Sequence, residues 1–214
     1  MAGFIEQVVF VGSGIVVTLE LLVGGIVIGL LLGTLFAIAR YSGVCVGIIN
    51  CLISIIRGTP LILQLSFVYF LVPVLLGISL SIVASGMITF GINSSVYIAE
   101  ILRAGIAHLP KGQFEAAKTL QIPTFYVWRD IVFPQVLRNI LPALINEIIT
   151  VSKDTALIAT LGGMDIMRKM QILAAQQFTY FMPLCIAALY YYCLVLLLEH
   201  IGKKIEKRGQ YVKN

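Results

Sequence analysis

Residues 112–120 read Gly112-Gln113-Phe114-Glu115-Ala116-Ala117-Lys118-Thr119-Leu120, a short charged and amphipathic stretch, and the segments Phe133-Pro134-Gln135 and Leu141-Pro142 follow it. Long apolar segments lie on both sides of this region. In a membrane protein, such a stretch lies on one face of the bilayer and presents a surface to which a partner can bind. We therefore predict a docking loop at residues 107–139.

The composition of the chain is that of a membrane protein. Hydrophobic residues make up 59% of the 214 residues and charged residues 12%, whereas soluble domains have about 45–50% and about 25%. The mean hydropathy is +1.00. A chain with so little polar surface cannot cover a globule in water, so the composition predicts an integral membrane protein.

Charge-poor runs supply the membrane spans. A spanning helix needs about 20 apolar residues, and these runs lack the alternating pattern of an outer-membrane barrel. We predict an all-α integral membrane fold with a single transmembrane domain over residues 1–214. Residues 44–56 form either the approach to the second span, which we favour, or a short additional span. The five predicted spans are about 12–39, 53–76, 81–106, 140–162 and 180–201.

Basic residues indicate the orientation, because cytoplasmic loops are enriched in lysine and arginine. With five spans, an outside N-terminus and a cytoplasmic C-terminus place three basic regions in the cytoplasm, and Arg168 and Lys169 are the exceptions. Membrane topology thus explains the net charge of +5, and this charge is no reason to expect binding of nucleic acid. The three regions contain Arg40 and Arg57, then Arg103, Lys111, Lys118, Arg129 and Arg138, then Lys203, Lys204, Lys207, Arg208 and Lys213.

Several kinds of chemistry have no signal in the sequence. The chain has no G-x-x-x-x-G-K-[ST] phosphate loop and no legible nucleophile–base arrangement. Its four cysteines lack the spacing of a metal site. We therefore expect no catalytic residue, no metal and no cofactor bound by this chain.

The fourth predicted span carries unusual polar residues. On a helix, Glu147, Thr150 and Asp154 fall at i, i+3 and i+7, beside Lys153. A charge at mid-membrane costs about 2.5–3.5 kcal/mol, so these groups must face protein or water. Either Lys153 pairs with a carboxylate and locks helix packing, or the stripe lines a solute path; we favour the path. Polar residues in the second and third spans either join the path or form bonds between helices. The candidate path residues are Asn93, Glu147, Thr150, Lys153, Asp154 and Gln64.

Within the docking loop, we predict a short helix at about residues 113–120 with Glu115 in its first turn. Ala116, Ala117 and Leu120 give this helix a small apolar face. Helices that lie on lipid favour bulky side chains, whereas a small smooth face fits a groove in a protein.

These segments resemble a known family. Glu115-Ala116-Ala117, with the Phe133-Pro134-Gln135 and Leu141-Pro142 segments after it, resembles the EAA loop of the permease subunits of ABC importers, which have the type I (MetI-like) fold. Four further stretches narrow the resemblance to the polar amino acid permeases for histidine, arginine and glutamine. They are Arg57-Gly58-Thr59-Pro60-Leu61-Ile62-Leu63-Gln64, Tyr97-Ile98-Ala99-Glu100-Ile101-Leu102-Arg103-Ala104-Gly105-Ile106, Pro110-Lys111-Gly112-Gln113 and Lys153-Asp154-Thr155-Ala156-Leu157.

The resemblance implies a transport mechanism and a set of partners. A second permease subunit, identical or homologous, pairs with this chain in a bacterial inner membrane. Two ATPase subunits bind ATP and Mg, and each holds one coupling helix. A periplasmic or lipid-anchored binding protein delivers the amino acid. Residues at the cytoplasmic start of the second span shape a gate: Arg57, Gly58, Thr59 and Pro60. The implied coupling residues are Gln113, Phe114, Glu115, Ala116, Ala117, Leu120 and Gln121.

One position departs from the family pattern. The family has glycine where Gln121 stands, and glycine permits a sharp turn with positive φ.

The resemblance also bears on the substrate. Glu147 stands at a position that resembles the carboxylate of basic amino acid permeases, which favours arginine, lysine or histidine. Glutamine or another polar amino acid is the alternative, because Asp154 can serve only the α-ammonium or Lys153 can neutralise Glu147. A stand-alone secondary transporter would usually be longer, with internal repeats. A membrane scaffold has no need of a polar fourth span.

Overall fold

The computed structural model of the chain describes residues 3–210, and side chains up to Lys207. Lys213 and the Arg208 side chain, both used above for orientation, lie outside the described part. Every regular element within it is a helix, as predicted. Two π-helical segments, Phe67–Leu71 and Val127–Val132, and a 3-10 helix, Thr155–Leu161, interrupt or extend the α-helices. The α-helices are α1 Phe4–Gly12, α2 Ile15–Tyr41, α3 Val46–Gly58, α4 Leu61–Ser66, α5 Val72–Leu76, α6 Ile82–Ala107, α7 Lys111–Thr119, α8 Thr124–Tyr126, α9 Phe133–Asp154, α10 Ile166–Gln177 and α11 Phe181–Gln210.

Three helical stretches of the described chain are long and apolar enough to cross a membrane: Phe4–Tyr41, Ile82–Ala107 and Phe181–Lys207. A fourth is a bent pair, Val46–Gly58 with Leu61–Leu76. The helix α9 is not among them, although it contains most of the fourth predicted span. Length and composition therefore do not test the division into five spans, which stays a prediction.

The second predicted span is broken in the structure. The chain direction bends by 106° between the two helices of the pair. Between them, Thr59 is extended, with φ −117° and ψ 144°. Pro60 follows, and the residue before a proline is disfavoured in the helical conformation. The sequence Gly58-Thr59-Pro60 thus accounts for a bend that the apolar character of residues 53–76 does not reveal.

The helices α2 and α6 pack closely along a stripe of glycines. Gly25, Gly29 and Gly33 are buried at spacings of four residues on α2. A methyl group at Gly29 would lie 3.0 Å from Cβ of Ser94, and one at Gly33 would lie 2.7 Å from the backbone oxygen of Ser95. Small residues at this spacing let two membrane helices approach closely.

Several clusters of buried hydrophobic residues form the core of the described part of the chain. Leu21, Leu65, Phe90 and Ile158 belong to a cluster that joins α2, α4, α6 and the 3-10 helix. A second cluster joins α1, α10 and α11. The helix α9 contributes Val151 to the first cluster and contacts both α6 and α11.

A buried carboxylate holds the start of α10. Asp165 is fully buried, and its Oδ1 accepts a hydrogen bond of 2.9 Å from the backbone N–H of Arg168. The hydroxyl of Tyr191, on α11, donates to Asp165 Oδ2 at 3.1 Å. One side chain therefore both caps α10 and ties it to α11.

Candidate functional site

The carboxylate of Glu147 is held against α6. The hydroxyl of Ser94, which is fully buried, donates a hydrogen bond of 2.7 Å to Glu147 Oε1. Glu147 itself is half-buried in the second half of α9. The sequence interpretation did not assign Ser94, although the polar segment Asn93-Ser94-Ser95 in an apolar helix was the available signal. This contact anchors a carboxylate between two helices.

The remaining members of the predicted stripe lie on the same helix at different exposures. Thr150 is exposed, and its hydroxyl donates to the backbone oxygen of Asn146 at 3.0 Å. Lys153 is exposed, and Asp154 is half-buried at the last residue of α9. Within residues 3–207, no ion pair of 4.0 Å or less joins Lys153 to Glu147 or to Asp154. The structure thus leaves Glu147 hydrogen-bonded to a serine rather than neutralised by the lysine.

The structure brings Gln64 and Asn93 together at the bend. Asn93 Nδ2 donates to Gln64 Oε1 at 3.2 Å. The other end of the amide, Gln64 Nε2, lies 2.7 Å from the backbone oxygen of Ile56, and 3.1 and 3.0 Å from the backbone oxygen and Oγ1 of Thr59. Because Asn93 precedes Ser94, two consecutive residues of α6 connect the bend to the Glu147 carboxylate.

The predicted gate residues form the bend itself. Arg57, Gly58, Thr59 and Pro60 are all exposed. The guanidinium of Arg57 lies over the ring of Tyr97, 5.6 Å from its centroid. The hydroxyl of Thr59 donates to the backbone oxygen of Ile55 at 2.9 Å. The four residues therefore connect two helices of different direction at an exposed position.

The helix predicted as a coupling helix begins earlier than expected. It is α7, Lys111–Thr119, so that Gly112 lies within it and Glu115 is in the second turn rather than the first. Pro110 immediately precedes the helix. Proline is tolerated at this position because the backbone N–H that it lacks would have no partner within the helix. Favourable interaction of Glu115 with the helix dipole, which falls off beyond the first turn, is thus not the reason for its position.

The helix α7 has an inner and an outer side. Gln113 and Phe114 are half-buried and Ala117 is 5% exposed, so these three side chains face the rest of the chain. The predicted coupling residues on the outer side are exposed. They are Glu115, Ala116, Leu120 and Gln121.

The turn after α7 has the geometry that glycine usually provides. Gln121 has φ +55°, in the left-handed region. Its N–H donates to the backbone oxygen of Lys118 at 3.1 Å, and the N–H of Ile122 donates to that of Ala117 at 3.0 Å. These two bonds make a Schellman turn. The departure from glycine at Gln121 therefore leaves the shape of the turn intact.

The segment after the turn carries a local ion pair. Arg129 Nε and Nη2 donate to the two carboxylate oxygens of Asp130 at 2.7 and 2.9 Å. The same guanidinium lies 4.9 Å from the ring centroid of Tyr126. These hydrogen bonds lower the pKa of the Asp130 carboxyl from its ordinary value. The segment after the turn therefore presents charged and aromatic groups.

Comparison with known proteins gives consistent matches over nearly the whole chain. The sequence profile of the family described as "Binding-protein-dependent transport system inner membrane component" matches residues 25–209. The putative glutamine transport system permease protein GlnP of Rickettsia typhi is 44% identical over 207 residues, which are 96% of this chain and 95% of that protein. The arginine transport system permease protein ArtQ of Bacillus subtilis is 39% identical over 206 residues, 95% and 94% of the two chains.

Solved structures match as well. One described as the crystal structure of an amino acid ABC transporter with histidines has a TM-score of 0.87 and 33% identity, with 97% of this chain and 99% of that chain covered. The MetNI methionine ABC transporter in an inward-facing conformation has a TM-score of 0.72 at 20% identity, with 98% and 99% covered, and it shows the fold alone.

Proposed function

Because this chain belongs to the family of binding-protein-dependent transport system inner membrane components, we propose that it forms the path by which an ATP-driven importer moves a cationic L-amino acid, such as arginine, lysine or histidine, into the cytoplasm. The predicted membership among the amino acid permeases of ABC importers is confirmed, and so is the type I importer fold. The chain is a membrane-spanning transport subunit, and ATP hydrolysis belongs to a separate subunit.

The proposal of a cationic substrate rests on the surroundings of the Glu147 carboxylate. Its carboxylate is half-buried between α6 and α9, receives a hydrogen bond from Ser94, and has no lysine within ion-pair distance in the described residues. A half-buried carboxylate without a fixed cation favours a ligand that brings one. Asn93, Thr150, Lys153 and Asp154 extend the proposed path from this point, with Gln64 at its wall.

Glutamine is the second candidate, and the relatives favour it. Several similar proteins are named as putative glutamine permeases, and another as an arginine permease. A glutamine amide would bind to Glu147 through its two N–H donors, without a full charge. The two candidates therefore differ in how strongly transport depends on the charge of this carboxylate.

The partners follow from the family and from the coupling loop. An importer permease implies ATPase and binding-protein partners. We propose that two ATPase subunits, with their ATP and Mg, each bind the outer side of one coupling helix: Glu115, Ala116, Leu120 and Gln121. Gln113, Phe114 and Ala117 support that helix from within.

A second permease subunit, identical or homologous, completes the path across the membrane. Alternating access then opens and closes the gate of Arg57, Gly58, Thr59 and Pro60 in a bacterial inner membrane. The N-terminus lies outside and the C-terminus lies in the cytoplasm. A periplasmic or lipid-anchored binding protein supplies the amino acid.

Reconstitution tests this function. The chain would be co-expressed with the ATPase and permease partners of its system, purified, and placed in liposomes with the binding protein. Arginine, lysine, histidine, glutamine and an acidic amino acid would be added singly, while ATP hydrolysis and uptake are measured. We expect a basic amino acid to give the largest stimulation of both. Stimulation by glutamine alone would select the second candidate, and stimulation by none of the five would refute amino acid import.

A further inference from the structure

The side chains of Gln113 and Gln135 join α7 to the N-terminal end of α9. Gln113 Nε2 donates to Gln135 Oε1 at 3.1 Å, and Gln135 Nε2 donates to Gln113 Oε1 at 2.9 Å. Gln135 Nε2 is also 2.8 Å from the backbone oxygen of Ile131. The two amides are 22 residues apart in sequence, and each serves as donor and acceptor for the other. Such a pair fixes direction as well as distance, because both hydrogen bonds depend on the relative orientation of the two amides.

An apolar contact beside the pair fixes the same two helices. Phe114 packs against a cluster of buried residues that joins the C-terminal end of α6 to the N-terminal end of α9. Its buried members are Leu109, Val132, Val136 and Ile140. The inner side of α7 therefore has two attachments to α9, one apolar and one directional.

The helix α9 connects this attachment to the proposed path. It runs without interruption from Phe133 to Asp154, so that Gln135 and Glu147 lie on one helix, about 18 Å apart at 1.5 Å per residue. Pro142 lies between them and removes one hydrogen bond within the helix. Close contacts flank it, because a methyl group at Gly105 would collide with Ile140 and one at Gly202 would lie 2.7 Å from Ile145. These contacts with α6 and α11 support α9 on both sides of the proline.

We propose that the Gln113–Gln135 pair is the clamp through which movement of α7 is transmitted to α9, and that Gln135 is a positioning residue for transport. Gln135 is half-buried, its amide bonds to Gln113 and to the backbone oxygen of Ile131, and it lies about 18 Å from Glu147 along α9. The inference rests on the proposed function, since it assumes that an ATPase moves α7. It assigns Gln113 an inward role in transmission, whereas the ATPase binds the exposed outer side of the same helix.

The test is the ratio of amino acid imported to ATP hydrolysed, measured in liposomes with the assembled complex. Gln135→Ala is expected to co-purify with the ATPase as the wild type does and to retain basal hydrolysis. Its import per ATP is expected to fall about tenfold, equivalent to about 1.4 kcal/mol of coupling free energy. Gln176→Ala, which changes an exposed glutamine of α10, is the matched control and is expected to keep the wild-type ratio.

Two further variants separate the clamp from a merely structural role. Gln135→Glu preserves the shape of the side chain but removes its donor, so its ratio is expected to fall even if Gln135→Ala fails to assemble. Gln113→Glu combined with Gln135→Lys replaces the amide pair by an ion pair and is expected to recover at least half of the wild-type ratio. Recovery of this kind is not expected of two independent packing defects.

The outcomes distinguish this inference from the function on which it rests. A wild-type complex whose ATP hydrolysis does not respond to any amino acid would refute the proposed function. A coupled wild type together with an unchanged ratio in both Gln135→Ala and Gln135→Glu would overturn the clamp alone. The clamp would also be overturned if Gln113→Glu and Gln135→Lys each lower import per ATP and their losses simply add in the double variant. Loss in each single variant with recovery in the double variant supports the clamp.

Discussion

Replacement of Glu147 by glutamine removes the charge of the proposed site and leaves its shape. The hydroxyl of Ser94 donates to Glu147 Oε1 at 2.7 Å, and it can donate in the same way to an amide oxygen. The contact between α6 and α9 is therefore expected to remain. What changes is the attraction for a cationic side chain. Hydrogen bonds to charged groups contribute about 1.5–3 kcal/mol and neutral ones about 0.5–1.5 kcal/mol, and a Coulomb interaction at about 4 Å adds up to about 4 kcal/mol at an effective dielectric constant of 20.

We therefore expect Glu147→Gln to lower kcat/KM for arginine uptake about 10- to 1000-fold, a loss of roughly 1.5–4 kcal/mol. Glutamine uptake, if present, is expected to change less than tenfold. The measurement is initial uptake of labelled arginine and glutamine into liposomes, with co-purification of the ATPase as the check on assembly. Glu199→Gln is the matched control, because Glu199 is a half-buried carboxylate on α11 that pairs with Lys203. Unchanged arginine uptake in an assembled Glu147→Gln complex would refute the cation site, and an equal loss of both amino acids would refute recognition of the charged side chain.

Three stability predictions concern positions away from the site, and thermal unfolding in detergent measures each. Gly33→Ala is expected to destabilise the chain by about 1–3 kcal/mol, because its methyl group would lie 2.7 Å from the backbone oxygen of Ser95. The control is Gly47→Ala, at a position with open space around it, and equal effects of the two substitutions would contradict close packing of α2 on α6. Gln121→Gly is expected to stabilise by up to about 1 kcal/mol, since it relieves a left-handed residue at φ +55°; a clear loss of stability would show that the side chain contributes more than the strain removes. Asp165→Ala is expected to cost about 2–4 kcal/mol, through loss of the α10 cap and of the acceptor for the half-buried Tyr191 hydroxyl. Asp165→Asn is expected to cost much less, and similar costs would contradict the capping role.

The helical class and the membrane setting could be predicted from the sequence because they depend on composition and on runs of apolar residues. Hydropathy reports how apolar a segment is, but not its direction, so the bend within residues 53–76 was not predicted. Its signal was present in Gly58-Thr59-Pro60. The spacing of Gly25, Gly29 and Gly33 likewise marks the face of α2 that packs against α6.

The sequence indicated candidate site residues but not the contacts that those residues make. Periodicity placed Glu147, Thr150 and Asp154 on one stripe of a helix, whereas the partner of Glu147 is Ser94, 53 residues earlier. A helical pattern describes one element and carries no information about the neighbour against which it packs. The inward orientation of Gln113 could not be predicted for the same reason, since Gln135 lies on another helix.

The side chain of Gln64 has a consequence for how the broken span can exist in a bilayer. Where a helix stops inside hydrocarbon, its last carbonyl groups have no water to bind, and each one left bare costs several kcal/mol. At this break, the Gln64 amide reaches the carbonyl groups of Ile56 and Thr59, and the Thr59 hydroxyl reaches that of Ile55. Two side chains thus take the place of solvent. Since Arg57 predicts that this break lies near the cytoplasmic surface, the chain changes direction there by 106° with the carbonyl groups of Ile55, Ile56 and Thr59 bonded to side chains.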